Sequence, residues 1–173
     1  INNKDKNIVL IGFMGSGKTS VGKRLSLVLK REFIDTDDFI EKREGMTINE
    51  IFKEKGEEEF RKIERELYKR FSTPKKKIIA TGGGVIKNPA NIANLKKGGV
   101  IVYLKSSPEK IAQNLKFDNT RPILQVDDKE AKIRELLAQR EPFYNKYAEI
   151  TIDVSNYDID HTVDKIIELA KVW

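Results

Sequence analysis

The most restrictive feature of this sequence is a glycine-rich segment at residues 12–19, GFMGSGKT, which matches the pattern G-x-x-x-x-G-K-S/T in full. The apolar run at residues 8–11 before it is typical of a buried strand. After it, Val21, Leu25 and Val28 recur at spacings of three and four, which indicates a helix. A loop of this pattern between a strand and a helix binds nucleotide phosphates, so the chain is predicted to have a P-loop α/β fold.

The residue types in this loop suit the phosphates of a nucleotide. Glycines let backbone N–H groups curl around phosphate oxygens, and the following helix points its positive end at the same anion. Lys18 is expected to reach the terminal phosphates of ATP, and the Thr19 hydroxyl to coordinate Mg²⁺. A glycine-rich turn that binds nothing is the alternative, but motif, strand and helix coincide here. The expected nucleotide contacts are Gly15, Ser16, Gly17, Lys18, Thr19 and Ser20.

Short apolar runs recur along the rest of the chain, at residues 33–34, 78–80, 100–104 and 150–154. Most of their residues are β-branched or aromatic, as in buried strands, and longer segments with helical spacing separate them. Such alternation predicts a three-layer αβα fold with a five-stranded parallel sheet. Ligands bind these sheets at the carboxyl ends of the strands, so functional residues are expected there.

Composition limits the kinds of protein that this chain can be. Its 173 residues, 39% of them hydrophobic, suffice for one core, so a single domain over residues 1–173 is expected. The absence of cysteine excludes disulfides, thiolate catalysis and Cys-based metal sites, and the single histidine, His161, has no partner for a His-based metal site. No apolar run approaches the roughly 20 residues that span a bilayer. We expect a soluble cytoplasmic protein with no membrane partner.

Two carboxylates, Asp35 and Asp37, follow the second predicted strand. Asp35 is expected near the metal of the nucleotide, because no acidic residue follows the third strand, where P-loop ATPases usually carry one. Asp37, one step further out, could accept the proton of an attacking hydroxyl. Alternatively, Asp37 or Asp38 caps a helix that begins near Phe39, with Asp38 and Glu41 as a capping-box-like pair. The sequence leaves both roles open.

Two further segments could contribute to the site of a phosphate acceptor. Arg61 and Glu64 lie three residues apart on a predicted helix, where by spacing alone they form a surface ion pair of small effect. Three glycines, Gly82, Gly83 and Gly84, follow the third strand and would let a small ligand approach the backbone closely. A flexible turn is the alternative interpretation of these glycines.

Arg121 and Arg140 are candidate cations on later segments of the chain. Residues 116–124 look like a hinged lid, from which Arg121 could close over the transferring phosphate and stabilise its charge. Arg140 lies near the end of a helix that is predicted to stop before Pro142. The alternatives are a solvated loop arginine at 121 and a harmless cation at a helix C-terminus at 140.

In this order, these motifs resemble the shikimate kinase family, which belongs to the nucleoside-monophosphate-kinase-like group of P-loop folds. The resemblance runs from Ile8 to about Tyr147. Its marks are GFMGSGKT, Asp-Thr-Asp at 35–37 followed by Ile40-Glu41, Gly-Glu at 56–57 before Phe60-Arg61 with Glu64, Thr-Gly-Gly-Gly at 81–84, Arg121-Pro122, and Arg140 with Tyr144.

The resemblance implies a monomeric kinase that uses ATP and Mg²⁺ to phosphorylate the 3-hydroxyl of shikimate. It implies that Asp37 sits beside this hydroxyl, that Arg121 is a lid residue contacting ATP, and that the acceptor pocket is lined by Phe52 and Phe60. The shikimate hydroxyls and carboxylate are implied to be held by Asp37, Arg61, Gly83 and Arg140. Fixed guanidinium groups suit a small acid because they bind its carboxylate bidentately. We place the acceptor-binding helical segment at about residues 36–65 and the lid at about 114–127.

The chain departs from the family pattern on the adenine side. Many relatives carry an arginine a few residues before the lid Arg-Pro pair, where this chain has Asn114 and Leu115. Residues 155–160 are the segment in which contacts with adenine would be sought, and their sequence does not identify the residues.

The nearest rival is another small-molecule kinase of the same fold, such as a gluconate or nucleoside monophosphate kinase. The order Asp-Thr-Asp, Phe-Arg, Thr-Gly-Gly-Gly argues against both. A different class of rival is a nucleotide switch or a basic nucleic-acid-binding protein, since the formal charge is +6. The sequence has no Asn-Lys-x-Asp motif and no basic stripe interleaved with aromatic residues, so no nucleic-acid partner is expected.

Overall fold

The computed structural model describes residues 3–117, 124 and 126–172. Five strands lie within these residues, namely β1 (Asn7–Ile11), β2 (Phe33–Asp35), β3 (Ile78–Ala80), β4 (Gly99–Lys105) and β5 (Ile150–Asp153). They form one sheet in the order β2-β3-β1-β4-β5, and every neighbouring pair is parallel. The predicted five-stranded parallel sheet is therefore confirmed.

The α-helices within the described residues connect these strands, except for α8, which follows the last one. They are α1 (Lys18–Leu29), α2 (Thr36–Glu44), α3 (Ile48–Lys55), α4 (Glu57–Arg70), α5 (Pro89–Gly98), α6 (Pro108–Asn114), α7 (Lys129–Tyr147) and α8 (Ile159–Ala170). Short 3-10 turns follow the glycine segment at Val85–Lys87 and β5 at Val154–Asn156.

Both faces of the sheet are covered, because successive strand side chains point to opposite sides. On one face, Ile8 and Leu10 pack in a buried cluster with Leu25 of α1 and Ile166 of α8. On the other face, Val9 and Ile11 belong to a cluster that includes side chains of α4 and α5. This arrangement explains why the strands are apolar throughout, and it confirms the three-layer αβα class.

A third buried cluster lies beside the glycine-rich loop. It joins Phe13 of this loop to apolar side chains of α6 and α7 and to Leu124, which is 1% exposed. Leu115 approaches the loop so closely that a Cβ on Gly15 would stand 2.7 Å from its Cγ. The cluster therefore fixes the loop against the elements on either side of residues 118–123. Arg121 and half of the proposed lid, residues 118–123 and 125, lie outside the described residues.

Two predicted helix boundaries are wrong. α2 begins at Thr36 and not near Phe39, because the Asp35 carboxylate caps it by accepting a hydrogen bond from Asp38 N at 3.2 Å. α7 does not stop before Pro142 but continues to Tyr147. Pro142 removes one helical hydrogen bond, yet Tyr144 beyond it is fully buried and stacks on Tyr103 with ring centroids 5.0 Å apart. Tertiary packing thus outweighs the local preference of proline.

No helix in the described part of the chain is long and apolar enough to span a bilayer. The division into an acceptor-binding segment at about 36–65 and a lid at about 114–127 stays a prediction.

Candidate active site

The glycine-rich loop joins β1 to α1 at the centre of the sheet. Gly15 and Gly17 have φ angles of 77° and 93°, in the left-handed region that glycine adopts without strain. Gly17 is also the N-cap of α1 and offers no side chain, so the first N–H groups of the helix face the loop. Lys18 Nζ donates to the carbonyl oxygens of Gly12 at 2.5 Å and Phe13 at 3.0 Å, which folds the ammonium group over the loop. The result is a cradle for anions.

Thr19 and Asp35 meet at the carboxyl edge of the sheet. Thr19 Oγ1 donates to Asp35 Oδ2 at 3.0 Å, while the other carboxylate oxygen of Asp35 caps α2. No cluster of three or more His, Asp or Glu side chains suited to a metal occurs in the part of the chain that is described. Mg²⁺ needs none, because it is commonly held by one or two protein oxygens together with phosphates and water. The hydroxyl and carboxylate therefore fit a magnesium ion bound with a nucleotide.

The three glycines after β3 each lie against one of the polar side chains predicted to hold the acceptor. A Cβ on Gly82 would stand 2.9 Å from Asp37 Oδ1, and one on Gly83 would stand 3.2 Å from Arg140 Nη1. A Cβ on Gly84 would stand 2.6 Å from Arg61 Nη1. Side chains from α2, α4 and α7 thus converge on one backbone segment, and a Cβ at any of these glycines would make one of them shift. These contacts favour close approach over the flexible-turn interpretation of this segment.

Arg61 is held in place by two acids and two aromatic rings. Its Nη1 donates to Glu64 Oε1 at 3.0 Å, and its Nη2 lies 3.5 Å from Glu57 Oε1. The guanidinium carbon lies 5.2 Å from the ring centroid of Phe60 and 5.9 Å from that of Phe52. The Glu64 side chain is only 2% exposed, so the interpretation of this pair as a surface ion pair is wrong. The buried Arg61 Nε has no hydrogen-bond partner among the described residues.

Burial raises the pKa of the Glu64 carboxyl above its usual range, and the nearby Asp37 charge raises it further. The charge and hydrogen bond of Arg61 act in the opposite direction but do not outweigh the loss of solvent. The ionised form of Glu64 is therefore stabilised by the positive charge of Arg61, which offsets part of the effect of burial.

Arg140 reaches the glycine segment from α7. Its guanidinium carbon lies 5.4 Å from the ring centroid of Phe13, and its Nη1, although buried, has no hydrogen-bond partner within the described chain. Tyr144, one helical turn later, donates from its hydroxyl to Gly83 O at 2.9 Å. Burial raises the pKa of Tyr144 to about 12, so the hydroxyl keeps its proton. A buried, unpaired guanidinium nitrogen is a donor available to an anionic ligand.

The glycine-rich loop and the carboxylate of Asp37 line one cleft of about 870 Å³. Lys18, Thr19, Asp35 and Asp37 line it, together with Gly82 and Gly83. Arg61 lines a second cavity of about 420 Å³ with Gly84 and Lys87. Asp37 therefore lies on the same cleft as the phosphate cradle, and the interpretation of Asp37 or Asp38 as the cap of α2 is wrong because Asp35 has that role.

The cleft is also lined by residues of α6 and α8 to which the sequence analysis assigned no role. Lys110 and Asn114 line it from α6, and Tyr157, Asp158 and Asp160 line it around the start of α8. Asn114 Nδ2 donates to Gly15 O at 2.8 Å, so this residue braces the phosphate loop. The segment expected to contact adenine thus borders the cleft. Arg121, the proposed lid residue, lies outside the described residues.

Sequence reasoning missed two tyrosine hydroxyls that hold the glycine segment. Tyr68 OH accepts from Gly82 N at 3.3 Å, and Tyr144 OH bonds to Gly83 O. Helical spacing from Phe60 and Leu67 indicates only that Tyr68 is buried. No sequence signal showed that its hydroxyl would meet a segment 14 residues further along.

Comparisons with known proteins show which family this chain resembles. A family model described as shikimate kinase matches residues 14–171. A shikimate kinase from Caldanaerobacter subterraneus subsp. tengcongensis is 51% identical over 162 residues, which cover 94% of each chain. The solved structure of shikimate kinase from Acinetobacter baumannii in complex with shikimate is 40% identical, with a TM-score of 0.89 over 95% of this chain and 92% of that chain. A gluconokinase from Sinorhizobium meliloti 1021 is 15% identical, with a TM-score of 0.54 over 97% of this chain and 95% of that chain, which shows a shared fold alone.

Proposed function

The chain belongs to the shikimate kinase family, and we propose that it transfers the terminal phosphoryl group of ATP to the 3-hydroxyl of shikimate. Members of this family are kinases, so the chain is an enzyme that uses ATP as a substrate. The observation that carries the choice of acceptor is the convergence of Asp37, Arg140 and Arg61 on three successive glycines. A carboxylate beside two guanidinium groups is complementary to a small acid that also carries hydroxyl groups.

At the nucleotide end, the loop N–H groups and the start of α1 bind the phosphates of ATP. Lys18 exchanges its two carbonyl partners for phosphate oxygens and balances the negative charge that is shared between the β- and γ-phosphates. Thr19 and Asp35 would hold Mg²⁺, which when bound neutralises phosphate charge and orients the triphosphate. The 3.0 Å hydrogen bond between them supports this assignment, because it brings two hard oxygen ligands together beside the loop.

At the acceptor end, Arg61 and Arg140 bind the shikimate carboxylate. Each has a buried nitrogen without a hydrogen-bond partner in the described chain, which a carboxylate oxygen would satisfy. Gly82, Gly83 and Gly84 let the ring of the acceptor approach the backbone. Phe52 and Phe60 keep Arg61 in position and give the pocket an apolar wall.

For the transfer itself, Asp37 orients the 3-hydroxyl and accepts its proton as the hydroxyl oxygen attacks the γ-phosphorus. The bond from this phosphorus to the bridging oxygen breaks, and ADP leaves with the electron pair. Asp37 fits this role because it lines the same cleft as Lys18. Arg121 is proposed to close over the transferring group and stabilise its charge. A monomer that acts in the cytoplasm without nucleic acid also stays a prediction.

The decisive experiment is an assay of ADP release with shikimate, gluconate, AMP or CMP as the acceptor. We expect release above background with shikimate alone. Lys18→Ala should abolish it, whereas Lys23→Ala, an exposed lysine of α1, should not. Turnover only with gluconate or a nucleotide, or none with shikimate, would contradict the proposal.

A further inference from the structure

Tyr68 carries a fully buried hydroxyl at the junction of three elements of the acceptor site. It lies on α4, one turn after Glu64, and is 0% exposed. Its hydroxyl oxygen accepts a hydrogen bond from Gly82 N at 3.3 Å, just beyond β3. The same oxygen lies 3.4 Å from Thr36 Oγ1, at the first residue of α2. One phenol group thus connects α2, α4 and the glycine segment.

Both partners of this hydroxyl adjoin Asp37. Thr36 is the preceding residue, and Gly82 is the glycine whose Cβ would stand 2.9 Å from Asp37 Oδ1. The hydroxyl therefore contacts the residue before the proposed catalytic carboxylate and the glycine that packs against it. A shift of either partner would change the distance between this carboxylate and the glycine segment on which the acceptor is proposed to lie.

The position does not need a hydroxyl for packing. Phe60, Ile63 and Leu67 fill the buried stripe of α4 with apolar side chains, and an apolar residue at position 68 would complete it. Burying a hydroxyl is unfavourable unless it is hydrogen-bonded. Its two partners, Thr36 and Gly82, adjoin Asp37. The hydroxyl can therefore hold both in position relative to Asp37, which an apolar side chain could not do.

We propose that Tyr68 is a positioning residue for phosphoryl transfer, which acts through Gly82 and Thr36 on Asp37. The inference rests on the proposed function of Asp37 and extends it to a side chain that touches no substrate. The hydroxyl stays protonated at working pH, because burial raises the pKa of Tyr68 well above its usual value. It can therefore accept from Gly82 N–H while it donates to Thr36.

The test compares Tyr68→Phe with a matched control, Tyr103→Phe. Tyr103 is also buried, but its hydroxyl has no hydrogen-bond partner among the described residues. Tyr68→Phe leaves Gly82 N–H unpaired, so we expect the KM for shikimate to rise and kcat to fall, each by roughly three- to tenfold. The KM for ATP should stay within about twofold of wild type, because the phosphate loop is untouched. Tyr103→Phe should leave all three constants unchanged.

Two further variants separate positioning from packing. Thr36→Val keeps the shape of the side chain and leaves Tyr68 bonded to Gly82, so its effect on the KM for shikimate should be smaller, about two- to threefold. In an Asp37→Asn background, Tyr68→Phe should weaken shikimate binding less than it does in wild type, which a double-mutant cycle by calorimetric titration would measure.

The outcomes distinguish the inference from the function on which it rests. Wild-type constants for shikimate in both Tyr68→Phe and Thr36→Val would overturn the positioning role, as would equal losses in Tyr68→Phe and Tyr103→Phe. A lowered Tm in Tyr68→Phe with unchanged kinetics would likewise leave Tyr68 as a packing residue only. A wild-type enzyme that does not phosphorylate shikimate would instead contradict the proposed function.

Discussion

Gly84 lies so close to Arg61 that a Cβ at position 84 would stand 2.6 Å from Arg61 Nη1. The guanidinium group rests over the backbone of Gly84, with Glu64 bonded to the same nitrogen at 3.0 Å. The position of Arg61, which is proposed to bind the substrate carboxylate, therefore depends both on Glu64 of α4 and on the lack of a side chain at Gly84.

Gly84→Ala should displace Arg61 without damaging the fold. Gly84 has a φ of −89°, which suits any residue, and the group it would push aside is the end of a flexible side chain. The free energy of unfolding should change by less than about 1 kcal/mol. The affinity for shikimate should fall by roughly 10- to 100-fold, comparable to the loss in Arg61→Ala, because a charged hydrogen bond is lost. Calorimetric titration measures this, and unchanged affinity in both variants would refute the role of Arg61. The exposed Lys62→Ala, on the same helix, is the control.

Asp37→Asn should lower kcat by roughly 10²- to 10⁴-fold, the usual contribution of a positioned general base. The affinity for ATP should not change, since the lost group acts on the acceptor and not on the phosphates. The neighbouring Asp38 is a matched control, because its carboxylate lies 3.0 Å from Lys42 in an exposed ion pair. Asp38→Asn should keep near-wild-type turnover. Steady-state kinetics with a nucleotide titration would show both effects, and full activity in Asp37→Asn would refute the catalytic role.

Asp35→Asn should separate metal binding from helix capping. Asparagine is as good an N-cap as aspartate, so α2 and the Tm should be preserved. The amide is a much weaker ligand for Mg²⁺ than a carboxylate, so the Mg²⁺ concentration for half-maximal activity should rise roughly tenfold or more. A titration of activity with Mg²⁺ checks this. An unchanged metal requirement would exclude Asp35 from the metal site.

Glu64 should give stability a characteristic dependence on pH. Its pKa is raised in the folded chain by burial, relative to the ordinary value of 4.5, despite Arg61 and Lys87 nearby. At a pH between 4.5 and the raised pKa of the folded state, Glu64 holds a proton in the folded chain that it has lost in the unfolded chain. The contribution of Glu64 to the free energy of unfolding therefore falls as pH rises through this window, and is constant above and below it.

Glu64→Gln removes this titration. We expect the difference in the free energy of unfolding, wild type minus variant, to decrease as pH is raised from about 4 upwards and then to level off. Denaturant unfolding at a series of pH values provides the measurement. A difference that rises with pH would mean that the Glu64 pKa is lowered by folding, as in an ordinary stabilising ion pair.

Much of the fold follows from local patterns in the chain. The short β-branched runs are strands because parallel strands are buried on both faces, and the loop at 12–19 could be identified because its chemistry needs glycines and a lysine at fixed spacings. The errors arise where tertiary contacts decide. Asp35 caps α2 although Asp37 and Asp38 are equally good caps by residue type, and Tyr144 holds α7 together beyond Pro142.

The identity of the residues in the candidate site could be predicted from the sequence, but their arrangement in space could not. Spacing shows that Arg61 and Glu64 share a helix face, but not that Glu64 is buried, since burial depends on elements that pack from elsewhere in the chain. Likewise, three glycines after a strand indicate close approach without indicating what approaches. The pairing of each glycine with one polar side chain from a different helix is long-range information that no local pattern contains.

A crystal structure of the protein with shikimate and a non-hydrolysable ATP analogue tests the central claim most directly. We predict that the 3-hydroxyl oxygen lies roughly 2.6–3.2 Å from a carboxylate oxygen of Asp37, as general-base geometry requires, with the shikimate carboxylate against Arg61 and Arg140. Shikimate bound away from Asp37, or reversed so that another hydroxyl faces the γ-phosphate, would contradict it.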